Sequence, residues 1–177
     1  QVDNDGDGDT DCADSECALD CQNPEDWPGP WVRLEDEMLV ATNAARAAGA
    51  TCGPYEGEPA RQYPPAPALT MNHTLRLAAR LHSQDMATRG YFDHVTPDGR
   101  DPFDRMHDIG FMGAQPWGEN LAAGSPTAQA AVDGLMNSPG HCRNIMNAEY
   151  RVVGLGYAYG EANMYGHLWT QKFAAGD

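Results

Sequence analysis

The stretch RVVGLGYAYGEANMYGHLWTQKF spans residues 151–173. Over 151–159 large apolar residues alternate with glycine and other small residues, the two-residue period of a strand. Residues 164–173 read as a second strand, and 160–163 between them supply the turn. An antiparallel hairpin is therefore expected near the end of the chain.

Upstream of it the periodicity is helical. Leu34, Met38, Ala41, Ala45 and Ala48 recur at three- and four-residue steps, with Gly49 as the stop. Five prolines in residues 53–68 impose a loop. Residues 70–89 give the strongest helix pattern. Thr70 is placed to cap it, Leu75, Ala78, Ala79, His82 and Met86 share one stripe, and Gly90 ends it. His82 on that stripe reads as a core histidine with its hydrogen bonds met. Shorter helices are expected over 101–109, with Pro102 first, and over 125–136, opened by Ser-Pro. Helices first and a hairpin last predict an α+β fold, with helices packed on a small antiparallel sheet.

The chain has 177 residues, 41 % of them hydrophobic, enough to build a core. No apolar run reaches the roughly 18 residues of a membrane span. Acids number 26 against 11 bases, a net charge of −15 that repels phosphate backbones and argues against nucleic acid as a partner. Ten of the acids and none of the bases fall in residues 1–26. That break predicts three parts: an acidic segment over 1–23, a Pro/Trp linker over 24–32 and the main domain over 33–177. Five cysteines occur without zinc-type spacing, three in the acidic segment and two far apart in the body. An oxidising compartment accounts for them, with a Cys52–Cys142 bridge in the body and one bridge within the acidic segment. The absence of an initial Met adds the expectation of a removed signal peptide. The protein is thus expected outside the cell or on its surface.

In the acidic segment, Asp3, Asp5, Asp7, Asp9, Asp11 and Asp14 fall at positions 1, 3, 5, 7, 9 and 12 of a calcium loop, with Gly8 at position 6. The register resembles the aspartate-rich calcium repeats of thrombospondin type 3 and dockerin modules. Calcium is the expected ion, in a structural or adhesive role.

The body carries Asn43-Ala-Ala-Arg46, Leu81-His-Ser-Gln-Asp-Met-Ala87, Gly90-Tyr-Phe-Asp-His94, Gly118-Glu-Asn120, Ser138-Pro-Gly-His141 and Trp169-Thr-Gln171. In this order they resemble the CAP superfamily (cysteine-rich secretory, antigen 5 and pathogenesis-related proteins), in its bacterial SCP-domain branch, over about residues 33–175. The resemblance implies an α-β-α sandwich around a three-stranded antiparallel sheet. It also implies a cleft built from His94 and Glu119, with His141 placed to complete the set and Ser138 where eukaryotic members carry a second glutamate. The second histidine of eukaryotic members is displaced, since Gly166-His167-Leu-Trp-Thr-Gln171 has one residue too many.

Two imidazoles and a carboxylate suit zinc or another divalent metal. The same trio also suits a metal-free acid/base cluster or a polar-ligand site. The favoured reading is a non-enzymatic module for an extracellular ligand (lipid, cell-wall or protein). The alternatives are a metal-dependent hydrolase using the His/Glu cleft, and an adhesive protein that self-associates through calcium.

Overall fold

The computed structural model describes residues 27–176. Helix α1 (Gly29–Ala48) leads into a two-stranded ribbon, β1 (Ala50–Cys52) and β2 (Arg61–Tyr63), and a short strand β3 (Thr70–Met71). Helices α2 (His73–Arg89) and α3 (Pro102–Asp108), strand β4 (Trp117–Ala123) and helices α4 (Ala128–Asn137) and α5 (Pro139–Met146) follow. The chain closes with β5 (Val152–Tyr159) and β6 (His167–Ala174). This is the mixed helix-and-sheet class expected.

The hairpin is the centre of the main sheet, whose order is β3-β5-β6-β4. Its second strand starts at His167, not at 164, because the connection is wider than the pattern implies. Gly160 N–H donates to Gly166 O across that turn. Buried Asn163 fills it, donating through Nδ2 to Met86 O and Tyr91 O. The sheet has four strands where three were expected. Three are long and antiparallel; the fourth, β3, adds two residues parallel to β5 through Thr70 N–H to Arg151 O and Asn72 N–H to Val153 O. That pairing takes Thr70 out of the capping position. Asn72 caps α2 instead, its side chain accepting from Leu75 N–H.

Strand alternation divides the sheet between two helical layers. On one side α2 lies directly on β5. A Cβ built on Gly154 would fall 2.0 Å from the Leu75 carbonyl carbon, and one on Gly156 2.2 Å from that of Ala79. Only glycine permits this approach, and Ser83 seals it by donating to Gly156 O. On the other side Val153, Leu155, Tyr157, Trp169 and Phe173 form the main core with α1, α4 and α5.

Helix α1 begins at Gly29, inside the stretch read as linker, with Pro28 as its cap. Trp27 is buried and meets Trp31 edge-on at 5.4 Å. Arg46 is wholly buried and donates to Pro67 O, Ile145 O and Asn147 O, tying α1 to the segment before β3 and to the end of α5. Asn43 pairs with both backbone groups of Leu69. The Cys52–Cys142 bridge is formed and fastens the ribbon to α5.

Candidate functional site

Strand β4 is one of the two edge strands of the sheet, and Glu119 lies on it with 9 % of its surface exposed. Strand register sets Lys172 of β6 opposite Glu119, with Gly154 of β5 on its far side. Both side chains point to the α2 side, where α3 closes the space. Capping by Asp101, whose side chain accepts from Phe103 and Asp104 N–H, fixes the start of α3 and so the position of Arg105.

Glu119 is held from three directions. Lys172 Nζ donates to Oε2 at 2.6 Å. Arg105 Nη2 reaches Oε1 at 3.1 Å and Oε2 at 3.0 Å. His94 Nδ1 lies 2.8 Å from Oε1. Burial alone would raise the Glu119 carboxyl. Lys172, the His94 hydrogen bond, His82 and Arg105 outweigh it and hold the group well below the usual carboxylate range. Lys172 is completely buried, and burial pulls it down to about 8 against the opposing effect of Glu119. At neutral pH the pair is ionic.

His94 has a side chain 46 % exposed, so it forms the solvent-facing edge of the cluster. In the neutral ring, an ionised Glu119 places the His94 proton on Nδ1 and leaves Nε2 as the acceptor. His141, on α5, is half-buried, and burial together with the neighbouring His94 lowers it. Its backbone carbonyl accepts from Asn120 Nδ2, which also donates to Gln171 Oε1. The structure thus brings His94 and Glu119 into contact and His141 within electrostatic reach of His94. Ser138 sits where α4 meets α5, and its carbonyl accepts from Cys142 N–H.

His82 occupies the core position its stripe implies. It is fully buried, donates from Nε2 to Asp93 O, and is pushed by burial down to about 3. His167 Nδ1 meets Tyr157 OH at 2.8 Å, away from the pocket residues. Asp3, Asp5, Asp7, Asp9, Asp11 and Asp14 lie outside the described residues.

Neither oxygen of Glu119 is left free to take a divalent ion. Its oxygens already accept from an ammonium, a guanidinium and an imidazole. Among the described residues no set of three or more His, Cys, Asp or Glu side chains is arranged to hold a metal. Lys172 and Arg105 were not singled out from the sequence. The available signal was a charge set between Gln171 and Phe173 in a predicted strand, on the chain's single lysine.

Residues 39–173 match the model of the cysteine-rich secretory protein family, CAP. The Bacillus subtilis (strain 168) protein YkwD is 40 % identical over 105 residues, covering 59 % of this chain and 38 % of its own length. An extracellular protein containing a SCP domain from Bacillus anthracis str. Ames is 26 % identical with a TM-score of 0.64, over 86 % of this chain and 43 % of that one. An outer surface protein of Borrelia burgdorferi shares the fold at 19 % identity, with a TM-score of 0.56 over 63 % of this chain and 80 % of that one. The chain spans less than half the length of either Bacillus relative. With the family match running from α1 to β6 and covering most of the chain, the chain belongs to the cysteine-rich secretory protein family.

Proposed function

We propose that this domain works outside the cell or on its surface as a ligand-binding or interaction module, with the His94–Glu119 pocket and the neighbouring His141 as its recognition site. One observation carries the reading. The Glu119 carboxylate is buried and engaged by Arg105 and Lys172. A carboxylate so held orients His94 and is poorly placed to shuttle protons itself. The extracellular and outer-surface descriptions of the Bacillus anthracis and Borrelia proteins support the setting.

Hydrolysis is the second reading, favoured by the His94–Glu119 contact, which is the geometry of an oriented base. Turnover of p-nitrophenyl acetate and casein by the wild type and His94→Ala distinguishes the two. The binding reading expects equal, background rates. A rate that disappears with His94 makes the pocket an active site.

We also propose that residues 1–23 bind calcium, on the register of Asp3, Asp5, Asp7, Asp9, Asp11 and Asp14. Calcium titration should show one site, lost in Asp7→Ala while the body stays folded; unchanged affinity in that variant would remove the register. An adhesive role adds calcium-dependent dimers or larger species in sedimentation.

A further inference from the structure

Glu119 has four acceptor positions, two on each oxygen. All four are taken. Oε1 accepts from His94 Nδ1 and Arg105 Nη2, and Oε2 from Arg105 Nη2 and Lys172 Nζ. A metal ion at this carboxylate must displace one of these partners. Displacing Lys172 strands a fully buried ammonium whose other partner is the Pro102 carbonyl at 3.1 Å, a costly outcome. The His94 contact also has the wrong length for two ligands sharing an ion. Groups bound about 2.0–2.1 Å from a tetrahedral zinc stand roughly 3.3 Å apart, whereas Nδ1 and Oε1 are 2.8 Å apart, a hydrogen bond.

We propose that Lys172, backed by Arg105, is a built-in replacement for a divalent cation at the Glu119 carboxylate: it closes Glu119 to metals and leaves Nε2 of the neutral His94 ring to meet the ligand as a hydrogen-bond acceptor. The ligand group met there is a donor, a hydroxyl or an N–H. This deepens the binding reading and rests on it only for the ligand chemistry. The metal question is decided by a readout independent of turnover.

Because Lys172 is the only lysine in the chain, lysine labelled with 15N at Nζ gives one side-chain signal, at the pocket itself. The full chain is titrated with zinc chloride, with calcium present to occupy the acidic segment, and His94→Ala is titrated alongside. The wild type should show no saturable shift of the Lys172 signal. Long-range proton–nitrogen spectra should show His94 protonated on Nδ1 and bare on Nε2. Saturable zinc binding that moves the Lys172 signal and is lost in His94→Ala overturns the proposal, as does a bare Nδ1.

Lys172→Gln removes one positive charge while keeping a hydrogen-bonding side chain. It should raise zinc affinity at the pocket at least tenfold, read on the His94 ring signals. A folded Lys172→Gln protein with unchanged zinc affinity also overturns it. Should that variant not fold, the wild-type titration decides alone. Failure of the binding reading shows up as His94-dependent turnover, which none of these signals measures.

Discussion

Lys172 and Glu119 are register partners on neighbouring strands, and their charged groups meet 2.6 Å apart with the lysine entirely removed from solvent. An ammonium in that setting gives up its hydration and regains only part of it from one carboxylate and one carbonyl. The single 15Nζ resonance should therefore titrate with a midpoint near 8, below the ordinary lysine value. Glu119→Gln should move the midpoint lower still, since the partner favouring the charged form is gone. A midpoint at or above the free-lysine value contradicts the buried pair.

His82 should make the protein acid-sensitive. Its folded value is about 3 against 6.5 for the free group, so between those values the unfolded chain binds the extra proton. Stability is then lost as pH falls from about 6.5 toward 3, by on the order of 5 kcal/mol at most from this group. Denaturant melts of the wild type and His82→Gln across that range are the check. The variant should show the shallower slope, whatever its absolute stability. Parallel slopes place the acid sensitivity elsewhere.

Two glycine-to-alanine changes should act in opposite directions. Gly154→Ala forces a methyl into the α2 backbone at Leu75 and should cost more than about 3 kcal/mol, at or above the usual range for overpacking. Gly134→Ala, within α4 and facing open space, should gain about 0.5–1 kcal/mol from helix propensity. Thermal melts of the two variants test this. A tolerated Gly154→Ala means that α2 can lift from the sheet.

Replacing Cys52 and Cys142 together by serine opens a loop with a sequence separation of 90. The chain-entropy model gives about 4–5 kcal/mol for such a closure. Urea unfolding of the double variant should show a loss of that order. A loss under about 1 kcal/mol means that Arg46 and its backbone acceptors hold α5 without the bridge.

The parts legible in the sequence were those governed by local pattern. The alternation at 151–159 marked the central hairpin, and the stripe from Leu75 to Met86 marked α2 with His82 inside. The contact of His94 with Glu119 followed from the motifs that carry the family resemblance. What stayed hidden depends on partners distant in sequence. Lys172 becomes a pocket residue only once β6 is aligned with β4, a register that no local pattern supplies. Arg105 enters because α3 folds over that edge. Asn163 reads as a turn residue until the backbone it bridges, at Met86 and Tyr91, comes together. Thr70 lost the cap to Asn72 because its backbone pairs with a strand 81 residues away.

The burial of the one lysine also shapes how this protein can be covalently joined to anything else. Every other basic side chain is arginine or histidine, so no surface side chain offers a primary amine. Isopeptide bonds to neighbouring proteins or to wall polymers, acylation by amine-directed enzymes and aldehyde cross-linking thus find no lysine to attack on the folded domain. On the folded domain any such linkage must use another kind of group, such as a carboxylate or a hydroxyl, so attachment chemistry and pocket chemistry are kept apart.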